Sequence, residues 1–391
     1  MTICFLSTCQ FNEFTGGMDR VCCLLSREFI RRGYRLIYVF GIPSQLGHPA
    51  EGCDGDGQFQ FPYTIWDDRN IAFFSELVRS QGIDIVIDAA FVSRYHDVVF
   101  QAKKQTPFKL ITTFHGDPFC DLKELRDRME WLPLEYTGLS LIFHIIKAYI
   151  KYPISYFLRF RSLKSRFTKM VKESDYYVVL CDDYAKQIRR ITKDNNPVHI
   201  VSISNPIDLS RSETGNSVKK NQVLFVGRLN EQKRVDRLLR VWAKVEKHLG
   251  GWDLVIVGDG DARIKYETYA HRLRLTNVHF LGNVNSSEEM KLSKIVTIVS
   301  SHEGFGMTLV EGMMAGAIPI AFNSYAAVHD IIKDGDTGFI IPPFDENIFA
   351  ERIVGLASNE IMFKKMQKMA LQSLSHFSVE RIVGQWETLF N

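Results

Sequence analysis

Ser300-Ser301-His302-Glu303-Gly304-Phe305-Gly306-Met307-Thr308-Leu309-Val310-Glu311-Gly312-Met313-Met314-Ala315-Gly316 is the stretch on which the reading of this chain turns. The apolar run Ile295–Ser300 has strand character, the glycines at 304 and 306 mark a turn, and Thr308–Met314 has helical character. Free amides at a helix start, beside glycines, suit a phosphate or a sugar oxygen. Glu303 falls in the loop and Glu311 about one turn inside the helix. Two carboxylates are thereby offered to two parts of one ligand, a sugar hydroxyl and a ribose diol. A glycine turn on its own favours a plain capped helix with solvated glutamates; the eight-residue spacing inside the wider pattern decides the other way.

The same strand–turn–helix alternation extends outward. Upstream, strands are expected at Gln222–Val226, Asp253–Val257 and Val278–Leu281, with helices at Arg234–Lys247 and Asp261–Leu273. Downstream, Ile318–Phe322 and Phe339–Ile341 read as strands. The first half repeats the pattern, with strands at Thr2–Leu6, Arg35–Phe40, Ile83–Asp88, Lys109–Phe114, Tyr176–Leu180 and His199–Ile203, and a helix over Cys22–Arg32. Two βα series predict an α/β chain of two Rossmann-like, doubly wound domains facing each other across a cleft. Ligands of such sheets bind beyond the carboxyl ends of the strands. The expected domains are residues 1–205 and 206–375, with 376–391 as a terminal helix.

A second motif strengthens the first. Val223-Leu224-Phe225-Val226 runs into Gly227-Arg228, and Lys233 follows near the next helix start. Two cations there can neutralise a diphosphate without a metal. Taken alone, the piece suits a surface loop equally well. Three Asp-Gly-Asp triplets, at 54–56, 259–261 and 334–336, have ordinary turn composition. The expectation is no metal site.

With these residues in hand, the second half resembles the retaining GT-B glycosyltransferases of glycosyltransferase family 4. Their Glu-x7-Glu pair matches Glu303 and Glu311, and their Gly-Arg-Leu…Lys element matches Gly227-Arg228-Leu229…Lys233. Val257-Gly258-Asp259-Gly260 is similar to their turn near the nucleotide base, and Asp334-Gly335-Asp336-Thr337-Gly338 to their Asp-Gly-x-x-Gly turn. Phe377-Ser378…Trp386 is similar to their last helix, which crosses back to the first domain. In the first half, Gly16-Gly17 follows the first strand as the family's Gly-Gly loop does, and Thr113-Phe114-His115-Gly116 resembles its His-containing segment.

The resemblance implies a nucleoside diphosphate sugar as co-substrate and no cofactor. By it, Gly16, Gly17, Gly227, Gly258, Asp259, Gly304, Phe305, Gly306, Met307, Thr308 and Glu311 bind the donor. Arg228, Lys233, Glu303 and His115 serve the transfer itself. Two departures stand out. Gly312-Met313-Met314 replaces the common Ala-Met-Ala, and Asn323–Asp330 lacks the glycine-rich, Glu-containing form of that loop.

Net charge is only +3 over 391 residues, too little to indicate a nucleic-acid partner. The charge is concentrated, however. From Tyr136 to Lys172 there is no Asp or Glu, while Lys147, Lys151, Arg159, Arg161, Lys164, Arg166, Lys169 and Lys172 stand among many aliphatic and aromatic residues. One or two interfacial helices on an anionic membrane fit that mixture, with Pro153 expected to break the pair; a core helix with a solvated basic face is the plainer reading. Seven cysteines without CxxC spacing argue against a disulfide framework or a zinc site. The start of the chain lacks the basic n-region of a signal peptide, and no apolar run is long enough for a spanning helix. The expectation is a cytoplasmic, peripherally membrane-associated transferase acting on a glycan or lipid-linked acceptor. A sugar-nucleotide epimerase and a non-catalytic nucleotide-sugar binder are the rivals.

Overall fold

The computed structural model describes residues 1–12, 16–43, 55–90, 94–196, 199–211 and 218–391. Asp54 of the first Asp-Gly-Asp triplet lies outside the described residues. In chain order the first half forms β1 (Thr2–Cys9), α1 (Gly17–Arg31), β2 (Arg35–Ile42), β3 (Gly57–Gln60), α2 (Arg69–Gln81), β4 (Ile85–Asp88), α3 (Tyr95–Gln105) and β5 (Lys109–Phe114). Then come α4 (Cys120–Glu135), α5 (Gly138–Glu173), β6 (Tyr176–Val179), α6 (Asp182–Thr192) and β7 (Ile200–Ser202). The strands make one parallel seven-stranded sheet in the order β3-β2-β1-β4-β5-β6-β7. β1, β2 and β4 are buried along nearly their whole length, as parallel strands covered on both faces must be. β3 has no counterpart in the sequence reading, because Gly-Gln-Phe-Gln at a sheet edge is too short and polar to register.

The second half forms β8 (Lys220–Val226), α7 (Val235–Val245), β9 (Asp253–Val257), α8 (Arg263–Arg272), β10 (Val278–Gly282), α9 (Ser286–Leu292) and β11 (Ser293–Ile298). It continues with α10 (Met307–Met314), β12 (Ile318–Phe322), α11 (Val328–Ile331), β13 (Phe339–Ile341), α12 (Glu346–Ala357), α13 (Glu360–Ser373) and α14 (Val379–Glu387). Its six strands are parallel in the order β10-β9-β8-β11-β12-β13. Trp242, Phe225, Leu254, Ile295 and Phe349 fill the core between this sheet and its helices.

The chain divides into two compact units. The first comprises Met1–His115, Lys164–Asp208 and Phe377–Asn391. Its C-terminal piece is bound in by the backbone bond from Ile207 N to Phe377 O (2.8 Å), by the Arg32–Glu387 ion pair (2.5 Å) and by Phe390 against Phe29. The second comprises Gly116–Leu163 and Leu209–His376. Residues 116–163 therefore group with the second half, whereas the sequence reading placed them in the first domain. The reason is packing: Trp131 is buried in the second unit's core, edge-on to Tyr266 at 5.6 Å.

One further expectation is corrected. α5 is one continuous helix through Pro153, not a broken pair. The carbonyl that Pro153 deprives of a partner lies on the exposed residue Tyr149, where water can take the place of the missing N–H. Among the described residues, Cys23 is engaged in a disulfide, while Cys4, Cys9, Cys22 and Cys120 are free thiols.

In the first unit, His96 donates to or accepts from Asp88 through Nδ1 and lies 3.3 Å from the Glu173 carboxylate through Nε2. Burial alone lowers its pKa, but the two carboxylates outweigh burial and raise it to about 9. The folded form thus binds a proton that the unfolded chain releases above its ordinary value. This stability is complete below about pH 6.5 and is lost as pH rises toward 9, about 3 kcal/mol in all. Denaturant unfolding at stepped pH is expected to show this slope, and His96→Gln to remove it.

Candidate functional site

A doubly wound sheet presents its ligand site where the strand order reverses. In the second unit that point lies between β8 and β11, at the centre of the order β10-β9-β8-β11-β12-β13. Gly227-Arg228 leave β8 and the Ser300–Gly306 turn leaves β11, so both motifs converge there, flanked by the loops after β9 and β12.

Close backbone approach explains the glycines. Gly258 has φ +126°, and a Cβ on it would stand 2.0 Å from the carbonyl oxygen of Gly227; one on Gly260 would stand 2.3 Å from that of Leu229. Backbone bonds seal the two loops: Gly227 N to Val257 O (3.0 Å) and Leu229 N to Asp259 O (2.9 Å). Asp259 is exposed and is held by Gly260 N (2.7 Å) and Arg263 (3.1 Å), which together lower its carboxyl pKa.

The β8 and β11 loops are laced together as well. Ser301 N donates to Gln232 O (3.0 Å), and Gln232 Nε2 donates to His302 O (2.9 Å). Lys233 Nζ pairs with Glu303 Oε1 at 2.6 Å, with side chains 21% and 12% exposed. Arg228 is exposed, and among the described residues its guanidinium has no hydrogen-bond or ion-pair partner. Gly306 caps α10 with φ +99°, and a Cβ there would meet the Tyr325 hydroxyl at 2.5 Å. Thr308 Oγ1 lies 3.5 Å from Val226 O, which sets the first turn of α10 against the end of β8. Phe305 is buried, Gly304 and Met307 are half-buried, and Glu311 lies in the second turn of α10.

The second unit thus brings together Gly227, Arg228, Lys233, Gly258, Asp259, Glu303, Gly304, Phe305, Gly306, Met307, Thr308 and Glu311. Gly16, Gly17 and His115 belong to the first unit. Gly16 is the extended N-cap of α1, and a Cβ on it would meet nothing nearer than 3.9 Å, so the backbone there is open to approach. His115 follows β5 directly. Burial lowers its imidazole pKa to about 4, with a bond to Asn205 opposing. It is therefore a neutral ring at ordinary pH, fit to donate or accept a hydrogen bond but not to supply charge.

The sequence reading overlooked Tyr325, buried with its hydroxyl unpartnered among the described residues and its phenol pKa raised by burial and by the Glu303 charge. It also overlooked Arg234, which takes φ +49° to begin α7 and pairs with Asp236 (3.0 Å) and Glu130 (2.8 Å). Neither carries a spacing signal. The Asp-Gly-Asp at 334–336 is a turn: Asp334 accepts from Ile340 N (2.9 Å), and Asp336 pairs with Lys333 (2.8 Å). Among the described residues, no group of three or more His, Cys, Asp or Glu side chains is placed to hold a metal ion.

Of the basic residues singled out on α5, Lys147, Lys151, Arg159, Arg161 and Lys164 are exposed and Arg166 is half-buried. Arg159 is tied to α4 through Asp121 O (2.8 Å). Leu139, Ile142, Phe143, Ile146, Ile150, Ile154 and Phe157 are each more than half exposed, and they recur at helical spacing along one stripe. Such an apolar stripe open to water is unusual for a soluble surface. Among the described residues, no helix is long and apolar enough to cross a membrane.

Residues 206–373 match the family described as Glycosyl transferases group 1. The amylovoran biosynthesis glycosyltransferase AmsD of Erwinia amylovora is 30% identical over 175 residues, covering 44% of this chain and 49% of that protein. The likeness thus spans about half the length of that relative. An uncharacterized glycosyltransferase of Haemophilus influenzae is 25% identical over 355 residues, 82% of this chain and 99% of its own length. Among solved structures, Anabaena HepE in complex with UDP superposes with a TM-score of 0.75 at 16% identity, covering 100% of this chain and 99% of that one. The lipopolysaccharide outer core galactosyltransferase WaaB in its apo form gives 0.70 at 18%, again covering 100% and 99%. The second half of this chain is thus a match to the glycosyl transferases group 1 family, carried on the two-sheet framework of the GT-B glycosyltransferases.

Proposed function

We propose that this chain is a retaining glycosyltransferase, moving a sugar from a nucleoside diphosphate sugar to an acceptor hydroxyl. The observation that carries the reading is the convergence of Arg228, Lys233, Glu303 and the α10 N-terminus at the switch point of the second sheet. The bond from the anomeric carbon to the diphosphate oxygen breaks, and the acceptor oxygen bonds to that carbon on the same face. The acceptor proton passes to the departing phosphate oxygen, so no separate base is called for. Arg228 and Lys233 meet the negative charge that develops on the leaving group, which makes a divalent metal unnecessary in this reading. Glu303 orients the sugar, and Glu311 the ribose. Lys233 shares its charge between Glu303 and the phosphates once the donor arrives. The family likeness adds Gly16, Gly17 and the neutral His115 from the first unit. Retention is tested by proton NMR of the first-formed product, whose anomeric coupling must match that of the donor; an inverted product contradicts it.

The acceptor in this reading is a glycan or lipid-linked glycan at an anionic membrane face, and α5 supports it. Its stripe of Leu139 to Phe157 suits the acyl boundary, and Lys147 and Lys151 on its border suit anionic headgroups. One relative is named for amylovoran biosynthesis, and in this reading the chain likewise serves glycan assembly. Co-sedimentation with vesicles containing phosphatidylglycerol is expected at physiological salt. The double variant Ile150→Ser, Phe157→Ser is expected to weaken it at least tenfold by removing two exposed apolar side chains that this reading sets into the acyl boundary. Equal partition of wild type and variant contradicts the membrane role.

A further inference from the structure

α4 carries no motif, yet it touches three of the loops that build the site. On the face at positions 123, 127 and 130, Lys123 Nζ donates to Ser324 O (2.6 Å) in the loop after β12. Glu130 accepts from Arg234 (2.8 Å) and Arg237 beyond β8. Between them Asp127 faces Ser301-His302 of the β11 turn, its Oδ2 3.7 Å from His302 Nδ1.

Asp127 is the unusual member. It is 2% exposed, and among the described residues neither carboxylate oxygen has a hydrogen-bond partner. Burial works against its charge, yet His302 and Ser301 beside it hold its pKa below the ordinary carboxylate value, and a leucine would be cheaper if packing were the only need. His302 is buried beside it and shares its Nδ1 with Ser301 Oγ at 3.2 Å. The 3.7 Å gap is longer than a hydrogen bond, and a small shift of the imidazole closes it. His302 is the residue directly before Glu303, so any such shift moves the turn that carries Glu303.

We propose that Asp127 is a positioning residue of the sugar subsite, closing onto His302 when a donor sugar engages Glu303 and fixing the Ser301–Gly306 turn in its working geometry. The proposal rests on the reading of Glu303 as the sugar-orienting group. In this reading the nucleotide half of the site hangs on Gly258 and Asp259 after β9 and on Glu311 within α10, whereas Asp127 faces the Ser301-His302 turn. Its loss should thus be felt by the sugar and not by the nucleoside diphosphate.

The test compares wild type, Asp127→Asn, His302→Phe and the double variant. UDP-glucose, UDP-N-acetylglucosamine and GDP-mannose serve as intact donors, with UDP and GDP as free nucleoside diphosphates. Each single variant is expected to lose roughly tenfold in kcat/KM, mainly in kcat, with nucleoside diphosphate affinity kept within about twofold. The double variant should lose no more than either single one, because the two residues act as a unit. Unchanged kinetics in Asp127→Asn, parallel loss of nucleoside diphosphate affinity, or additive losses in the double variant each overturn the proposal. Should Asp127→Asn fail to fold, His302→Phe decides through the same split. A Glu303→Gln protein as active as wild type overturns the underlying reading of the site, an outcome distinct from an active Asp127→Asn beside an inactive Glu303→Gln.

Discussion

Glu303→Ala is expected to lower turnover of the donor by about a hundredfold or more while nucleoside diphosphate still binds. Glu303 is nearly buried in the turn after β11, paired with Lys233 at 2.6 Å and close enough to Tyr325 to raise the pKa of its phenol. Removing its carboxylate does two things. It takes away the acceptor oriented toward the sugar, and it frees Lys233 to bind the diphosphate more tightly in the ground state. The second effect strengthens product binding, so kcat should fall further than kcat/KM. Steady-state kinetics with calorimetric binding of the free diphosphate separates the two, and an unchanged kcat contradicts the role given to Glu303.

Arg228→Ala is expected to lower kcat by about 10²–10³ with a much smaller change in donor KM. The guanidinium stands exposed at the end of β8 and has no ion-pair partner among the described residues. It is thus the cation of the site not already committed to a carboxylate. A charge of that kind does most where negative charge develops on the leaving oxygens, not where it is already spread in the bound donor. A loss that appears equally in affinity and turnover means that Arg228 serves ground-state binding alone. Lysine at 228 should restore only part of the rate, because it keeps the charge without the two-pronged geometry.

Much of this was legible in the sequence, for identifiable reasons. The two parallel sheets were readable because each buried strand is a short apolar run closed by glycine or a polar turn, as in Leu224-Phe225-Val226-Gly227 and Val255-Ile256-Val257-Gly258. The glycine positions were readable as a pattern; their cause, carbonyls 2.0 to 2.3 Å from a missing Cβ, belongs to the folded chain. The grouping of residues 116–163 with the second unit was not readable, since it depends on Trp131, Asp127 and Glu130 meeting residues a hundred or more positions away. The continuity of α5 through Pro153 was not readable, since the rule that a proline ends a helix has exceptions that only the folded chain shows. Tyr325 and Asp127 were invisible because neither belongs to a spaced motif; each stands out only through its burial in the folded chain. His115 was singled out by its place after a strand and by the family resemblance, but its neutral state follows from burial, which only the fold supplies.

The most direct test of the central claim is release of nucleoside diphosphate. The wild-type protein is incubated with a panel of sugar nucleotides and a membrane lipid extract, with chelator present and no metal added. The account predicts acceptor-dependent release from one donor, unaffected by chelator and lost in Glu303→Ala. Release that persists in Glu303→Ala, or that ceases with chelator and returns with a divalent cation, contradicts it.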